Sequence, residues 1–322
     1  MADDYMTCVR ETYAAAALEP DPSLCCIAGT HWSLPDLHVP AAMQEMNYGC
    51  GTTVHPGDLI GHRPILYVGV GGGLEALQFA YVRRLSGGVI AVDPVPEMRA
   101  AAERNLLAAA RLNPWFDPAF VRIVDGAAES LPVADASVEV VAQNCLFNVF
   151  SAGDLARAVR EVHRVLVPGG RFSSSDPVSS LPVPDSLKRS HTLRARCCAG
   201  CQTYDEYLAT LAAGGFSRLV VRSRIPYRLL LPREHPEIER AILLESLEVL
   251  ALKTAAHDGV AEIHSGRHAI YRGPGSFCLD GRFTFAAGTP VSISDATAQR
   301  LAVRPDFLVT EPTYHARGPG CC

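Results

Sequence analysis

Short apolar runs alternate with longer amphipathic stretches between residues 64 and 230. The apolar runs predict strands, at 65–70, 89–92, 121–124, 138–142, 171–175 and 216–224. Two of the stretches between them, at 74–85 and 97–112, have the spacing and composition of helices. Because strands that alternate with helices form parallel sheets, the pattern predicts an α/β fold with a doubly wound, mostly parallel sheet.

Two further helices carry start signals. Ser151 and Asp154 begin the first, whose apolar positions recur at helical spacing until the Pro-Gly-Gly turn at 168–170. Thr203 and Glu206 form a capping box at the start of the second.

The segments on either side of this core have different patterns. Residues 1–60 are rich in turns and predict an N-terminal cap or lid. The core is expected over 61–232, with an insertion around 180–205. Residues 233–322 predict a small C-terminal α+β domain, in which a long helix from 236 to 256 precedes short strands and turns.

A glycine loop follows the first strand. Residues 68–74 read VGVGGGL, so Gly69, Gly71 and Gly73 give the spacing G-x-G-x-G. A dinucleotide fingerprint would require a glycine at 74, where this chain has leucine. The observed spacing is typical of methyltransferases that use S-adenosylmethionine (SAM), whose cofactor can lie directly on the backbone amides.

Polar residues at later strand ends support a SAM site. Asp93 ends the second strand, where a carboxylate can accept both ribose hydroxyls. Asp125, Gly126 and Ala127 follow the third strand, and the acid could accept from the adenine amine. Asn144, at the end of the fourth strand, is predicted to reach the cofactor at the same sheet edge.

Composition narrows the class of protein further. The chain has 29 basic and 34 acidic residues, a net charge of −5, with no basic block. This balance argues against a nucleic-acid or anionic membrane surface. The polar start is unlike a signal peptide, and no apolar run approaches 18 residues, so the expected location is the cytoplasm.

The cysteines suggest a soft ion. There are eleven, and three adjacent pairs occur, at 25–26, 197–198 and 321–322. Cys145 ends the fourth strand, Cys198 lies beyond the fifth, and Cys50 precedes the first. Three thiols from separate segments could therefore converge on zinc, copper(I) or a thiophilic metalloid.

This combination resembles the arsenite methyltransferases, within the class I SAM-dependent methyltransferases and their Rossmann-like fold. The resemblance rests on the glycine loop, Asp93, Asn144-Cys145, the Cys198 region and the Tyr48-Gly49-Cys50-Gly51 segment. It covers most of residues 44–230, and the segments at 269–273 and 288–291 are similar to the family's tail.

The resemblance implies a SAM-dependent enzyme that methylates trivalent arsenic, in the context of arsenic detoxification. It implies Cys145 and Cys198 as the principal arsenic ligands and Cys50 as the third thiol. The arsenic lone pair then attacks the SAM methyl carbon in line. The expected partners are arsenite, methylated arsenicals and a glutathione- or thioredoxin-type thiol reductant.

The chain departs from the family pattern at two positions. The family's acid at the end of strand one is Tyr67 here, and its loop Asp-Cys pair corresponds to Glu75 and Ala76. A site with four cysteines would therefore lose its loop thiol and keep three.

Several alternatives stay open from the residues alone. Cys197 or Cys201 could replace Cys198, and Cys198 with Cys201 could form a redox C-x-x-C pair. Cys197, Cys198 and Cys201 could bind zinc, with His191. The terminal pairs at 25–26 and 321–322 could capture arsenic and pass it inward. The function could also be methylation of a small organic molecule, or metalloid or zinc binding without catalysis.

Overall fold

The computed structural model describes residues 4–24, 34–59, 61–254, 261–281 and 283–313 of the 322-residue chain. Within these residues, eight strands form the main sheet: β1 Ile65–Val68, β2 Val89–Asp93, β3 Val121–Asp125, β4 Val138–Asn144, β5 Leu166–Ser179, β6 Arg218–Leu230, β7 Ile242–Leu252 and β8 Glu262–His264. Their order is β3-β2-β1-β4-β5-β7-β6-β8. The first five strands are parallel, and β7 runs antiparallel to both of its neighbours.

Helices accompany the sheet and extend into the C-terminal part. Those in the described part of the chain are α1 Asp4–Leu18, α2 Ala41–Glu45, α3 Leu74–Arg83, α4 Pro96–Leu112, α5 Ala152–Val165, α6 Asp185–Lys188, α7 His191–Ala195, α8 Tyr204–Ala213 and α9 Asp295–Ala302. Both predicted capped starts are confirmed, because Ser151 accepts from the amide of Asp154 and Thr203 forms the capping box with Glu206.

The alternation of β1 shows how the sheet is covered on two faces. Leu66 and Val68 pack into one hydrophobic cluster, with α5 and α8, while Ile65 and Tyr67 pack into another, with α3 and α4. Successive side chains on a strand point to opposite faces, so a strand buried on both faces reads as a continuous apolar run. This is the pattern that predicted the parallel strands.

The predicted helix from 236 to 256 is wrong, because this segment contains β7. Both faces of a central strand are covered, so its residues are apolar on both sides and the sequence shows no alternation. Periodicity alone therefore does not distinguish such an apolar run from a buried helix. β7 pairs with β5 along nine residues, from Leu244 to Leu252. The main sheet therefore extends past the limit of 232 that the sequence suggested, and reaches His264 in β8.

Two further elements differ from the prediction. The N-terminal segment, expected as turns, contains the 15-residue helix α1. The Pro-Gly-Gly turn at 168–170, expected to precede the fifth strand, lies inside β5, where the pairing with β4 shifts register. Gly169 has a φ of 80°, a left-handed backbone that suits glycine at this irregularity.

The C-terminal part is built from short strands, as predicted. They are β9 His268–Tyr271, β10 Ser276–Leu279, β11 Phe283–Ala286, β12 Pro290–Ser292 and β13 Phe307–Val309. β10 pairs with β11, and β9 lies between β12 and β13. These strands and α9 share a hydrophobic cluster of their own, which includes Phe285 and Phe307. No helix in the described ranges is long and apolar enough to cross a membrane.

Candidate active site

The glycine loop connects β1 to α3 at the carboxyl edge of the parallel strands. Gly69, Gly71 and Gly73 all have positive φ values, of 83°, 52° and 88°. A Cβ on Gly72 would lie 2.7 Å from the Cβ of Met46, so the loop also depends on a missing side chain there. Each of the three predicted glycines therefore has a left-handed backbone, which a side chain would strain.

A cleft of about 810 Å³, counted to its open mouth, lies above this loop. Its walls come from α1, the glycine loop and the segments that follow β2, β3 and β4. They include Met6, Val9, Arg10, Tyr13, Tyr48, Gly69, Gly71, Asp93, Val95, Met98, Gly126, Ala127, Asn144, Cys145, Leu146 and Phe150. This mostly apolar lining with a few polar groups suits a small organic cofactor.

Helix α1 covers the cleft and is fixed by tyrosine hydroxyls. The Tyr5 hydroxyl donates to Asp154 and accepts from the amide of Ser151 at 3.0 Å. The Tyr13 hydroxyl donates to the carbonyl of Ala195 at 3.1 Å. The Tyr48 hydroxyl donates to the carbonyl of Ala16 at 3.0 Å. The sequence predicted an N-terminal lid but not a helix within it, because α1 is only weakly amphipathic.

Asp93 lies at the end of β2 and lines the cleft. Its carboxylate accepts the amide of Val95 at 2.9 Å, and the amides of Val70 and Gly71 also favour its charged form. Burial nevertheless raises its pKa to about 6. A buried carboxylate beside the glycine loop can accept a pair of hydroxyls from a ribose.

Asp125 is the register partner of Asp93 on β3, but it is not among the residues that line the cleft. Its side chain is 74% exposed and pairs with Arg99 at 2.7 Å. The predicted contact of Asp125 with the adenine is therefore not supported by its position. Gly126 and Ala127, the two residues that follow it, do line the cleft.

Glu75 is a buried acid next to the glycine loop, whereas the sequence was equally consistent with an exposed one. It accepts the amide of Thr53 at 2.8 Å and the Thr53 hydroxyl at 2.7 Å. Tyr67 and Asn144 also form hydrogen bonds with it, and burial raises its pKa. Glu75, Tyr67 and Asn144 line a smaller pocket on the other side of the loop. This chain thus has a carboxylate near the position where the family has its strand-one acid.

Asn144 holds the segment with Cys50 against the end of β4. Its Oδ1 accepts the amide of Cys50 at 2.9 Å, and its Nδ2 donates to the carbonyl of Gly51 at 2.9 Å. A Cβ on Gly49 would lie 2.5 Å from the Asn144 Nδ2. A single amide therefore fixes the position of one predicted cysteine next to another, Cys145.

Three cysteines lie around Ser175 at this edge of the sheet, joined by contacts to its backbone and hydroxyl or to one another's backbone. Cys145 has a φ of 59°, and its amide donates to the carbonyl of Ser175 at 2.7 Å. The sulfur of Cys50 lies 3.4 Å from the Ser175 hydroxyl. The Cys197 thiol donates to the carbonyl of Cys145 at 2.8 Å. All three cysteines are buried in one hydrophobic cluster.

Cys198, which the sequence suggested as an arsenic ligand, lies in a different cluster with Cys201. Its thiol donates to the carbonyl of Arg196 at 3.2 Å, and Arg228 approaches its sulfur at 3.4 Å. Burial raises the pKa of the Cys201 thiol well above its usual value. In the ranges that the structure covers, no three His, Cys, Asp or Glu side chains are grouped so that they could hold a metal ion. The pairs at 25–26 and 321–322 lie outside the described residues.

Asp176 supports the turn that carries Cys145. This fully buried carboxylate accepts the amide of Phe147 at 3.1 Å, the Tyr207 hydroxyl at 2.7 Å and the side-chain amide of Gln143. Gln143 in turn accepts the amide of Leu146 at 3.0 Å. Both sides of Cys145 are therefore held by side chains that the sequence analysis did not single out.

We expect Asp176→Asn to flatten the pH dependence of stability. Burial raises the pKa of Asp176 to about 7, whereas an unfolded chain releases this proton near pH 4. The folded protein therefore binds more protons between these values, and its free energy of unfolding falls as the pH rises. The group contributes a decrease on the order of 4 kcal/mol between pH 4 and pH 8, which the amide removes. Urea titrations at several pH values measure it.

Asp185→Asn is the matched control, because the Asp185 side chain is 86% exposed. This variant should keep the wild-type slope of stability against pH. An Asp176→Asn protein with that same slope would contradict the assigned role of the buried carboxyl.

Comparisons with known proteins agree with these observations. Residues 66–174 match the family described as "Methyltransferase domain". The arsenite methyltransferase of Halobacterium salinarum is 33% identical over 177 residues, which cover 55% of this chain and 43% of that protein. The arsenite methyltransferase of Aquipseudomonas alcaligenes is 29% identical over 61% of this chain and 56% of its own length. The chain thus spans about half of each of these two relatives.

A crystal structure and a human relative match over more of their length. The structure is that of CrArsM, an arsenic(III) S-adenosylmethionine methyltransferase from Chlamydomonas reinhardtii. It has a TM-score of 0.58 and 24% identity, over 90% of this chain and 96% of that one. The human arsenite methyltransferase is 24% identical over 86% of this chain and 74% of its own length. The fold is therefore the class I methyltransferase fold that the sequence predicted.

Proposed function

We propose that this chain, which is similar to arsenite methyltransferases, transfers the methyl group of SAM to trivalent arsenic held by cysteine thiolates. The observation that carries the proposal is the position of Cys145. It lines the cofactor cleft, and it lies beside Cys50 and Cys197. An ordinary small-molecule methyltransferase has no need of three buried thiols at the methyl-donor edge of its sheet.

The proposed SAM site uses both sides of the glycine loop. The ribose hydroxyls bind Asp93, and the adenine lies near Gly126 and Ala127, all of which line the cleft. The amino end of the methionine lies in the smaller pocket, near Glu75. The SAM sulfonium then stands above Asn144 and Cys145, at the edge where these two pockets meet.

The proposed arsenic ligands are Cys145, Cys197 and Cys50. This set differs from the sequence expectation in one position, because Cys197 replaces Cys198. The Cys197 sulfur lies 4.0 Å from the hydroxyl of Tyr13, a residue of the cleft wall, whereas the Cys198 sulfur is next to Arg228 in another cluster. Arsenic(III) is a soft centre that thiolates bind, and its binding would draw these three sulfurs together.

The chemistry balances with a thiol reductant. Arsenite loses hydroxyl groups as water when thiols replace them. The arsenic lone pair forms the new bond to carbon while the sulfonium sulfur takes the electron pair of its bond to the methyl group. The protein's contribution is orientation, because it holds the arsenic in line with that bond. Arsenic formally loses two electrons in this step, and two thiols return them by forming a disulfide, which a glutathione- or thioredoxin-type thiol reduces. A cytoplasmic location, where thiols stay reduced, fits this requirement.

The first experiment measures the reaction itself. Purified, reduced protein is incubated with arsenite, SAM and glutathione, and methylated arsenic and S-adenosylhomocysteine are quantified together. We expect one S-adenosylhomocysteine for each methyl group that is found on arsenic. S-adenosylhomocysteine that forms only with an organic acceptor, or not at all, would overturn the proposed substrate.

A pair of adjacent variants tests the choice of ligand. We expect Cys197→Ser to weaken arsenite binding by at least about tenfold, or 1.4 kcal/mol, because it removes one of three proposed sulfur ligands. Cys198→Ser should weaken it much less. Quenching of intrinsic fluorescence by arsenite measures both affinities in the presence of excess reductant.

Cys278→Ser is the control for this pair, because Cys278 is exposed on β10. Its arsenite affinity should equal that of the wild type. The opposite order, in which Cys198→Ser has the larger effect, would restore Cys198 as the ligand that the sequence suggested.

A further inference from the structure

Cys198 and Cys201 occupy a tight turn that the proposed methyl transfer does not use. The amide of Cys201 donates to the carbonyl of Cys198 at 3.3 Å, which is the hydrogen bond of a four-residue turn. In such turns the first and last Cα atoms lie within about 7 Å. Disulfides join residues whose Cα atoms are about 4.4–6.8 Å apart. The two cysteines are thus within bridging range, although neither forms a disulfide here.

Asn148 fixes this turn against the end of β4. Its side-chain amide donates to the sulfur of Cys201 at 3.4 Å and to the carbonyl of Pro177 at 2.6 Å. A Cβ at Gly200 would collide with the Asn148 carbonyl, so only glycine fits between the two cysteines at that point. The spacing of the pair is therefore held by backbone packing.

The two sulfurs have different surroundings. Cys198 is buried but lines an open cavity of about 420 Å³, which Cys201 does not line. The Nη1 of Arg228 lies 3.4 Å from the Cys198 sulfur. The polar residues of the cavity are Ser23, Arg196, Arg228, Glu234 and His235. Two guanidinium groups against one carboxylate make the cavity suited to a small anionic thiol.

We infer that Cys198 and Cys201 form a redox-active dithiol that exchanges with small anionic disulfides and thiols through this cavity. Cys198 attacks the external disulfide and displaces one thiol, which leaves a mixed disulfide at Cys198. Cys201 then attacks that bond, so the bridge between 198 and 201 forms and the second thiol departs. Two protein thiols are oxidised and one external disulfide is reduced to two thiols. An external thiol reverses the sequence. This activity goes beyond methyl transfer and does not depend on it.

The test uses the full chain without SAM or arsenite, so it is independent of the proposed function. The reduced protein is mixed with oxidised glutathione, quenched with an alkylating reagent and digested for mass spectrometry. We expect a disulfide within the peptide that contains both 198 and 201. Cys201→Ser should instead stop at a glutathione adduct on Cys198, because the second attack is missing. Circular dichroism and SAM binding check that this variant is folded.

A second arm tests the anionic character of the ligand. Bis(2-hydroxyethyl) disulfide is small but neutral, and we expect it to react several-fold more slowly than oxidised glutathione. The difference should shrink in Arg196→Gln, and Arg233→Gln, whose side chain is 78% exposed, is the matched control.

Two results would overturn the inference. One is a wild-type protein in which Cys198 and Cys201 remain accessible to alkylation at every ratio of oxidised to reduced glutathione. The other is a first disulfide that joins different cysteines, such as Cys145 and Cys197. Equal rates with the charged and neutral disulfides would remove the assignment of an anionic ligand.

Discussion

Cys145→Ser will reduce arsenite methylation by at least about 1,000-fold, or about 4 kcal/mol of transition-state stabilisation, while SAM still binds. The serine hydroxyl is a hard donor that stays protonated at neutral pH, so it cannot replace a soft thiolate. Cys145 is the thiol that lines the cofactor cleft, and its left-handed backbone aims it from the end of β4. The substitution is therefore expected to impair the binding and methylation of arsenic, and to leave cofactor binding intact.

Two measurements separate these effects. Product formation under saturating SAM measures the loss of methylation. Calorimetric titration with SAM measures the affinity of the cleft for the cofactor. Cys278→Ser on the exposed β10 should match the wild type in both. If Cys145→Ser retained methylation within tenfold of the wild type, the arsenic would have to lie elsewhere and the proposed site would be wrong.

The second large effect is expected at Asp93. Asp93→Asn should weaken SAM binding by about 100-fold, because the charged acceptor of two ribose hydrogen bonds becomes a neutral amide that can accept only with its oxygen. The pKa of about 6 adds a pH dependence in the free protein. The carboxylate gains a proton as the pH falls through 6, so SAM affinity should fall with it in the wild type. The variant should lack this pH dependence.

Asp125→Asn is the informative comparison, because Asp125 is the register partner of Asp93 on the next strand. The sequence suggested that both acids bind the cofactor, whereas the exposed pair with Arg99 directs Asp125 outward. We expect SAM affinity in Asp125→Asn to stay close to that of the wild type. A loss as large as that of Asp93→Asn would mean that Asp125 turns into the cleft when SAM binds.

The parallel strands were predictable because their signals are local. A run such as β1 or β2 is buried at every residue, and glycines or an aspartate end it. The residues predicted for the SAM site were read directly from those strand ends. The sequence alone could not place β7, since a strand covered on both faces has the same apolar content as a buried helix.

The choice between Cys197 and Cys198 depended on geometry that no spacing reveals. The two residues are adjacent and chemically identical, yet their sulfurs lie in different clusters. The φ of Cys197 is 54°, a conformation that turns the chain between them. A left-handed residue other than glycine has only a weak sequence signature. The resemblance therefore pointed to this segment, but it could not separate two adjacent thiols.

The position of helix α1 bears on which step limits the rate of turnover. In the proposed reaction the spent cofactor has to pass this helix before the next round begins, and three tyrosine hydroxyls hold the helix in place. Tyr13 lies close to the Cys197 sulfur as well as to the cofactor cleft, so the same lifting of α1 uncovers both. If that motion limits the cycle, product departure and the trapping of Cys197 by a thiol reagent will proceed at one common rate. One opening motion would then limit the rate of exchange at both the cofactor cleft and the thiol site.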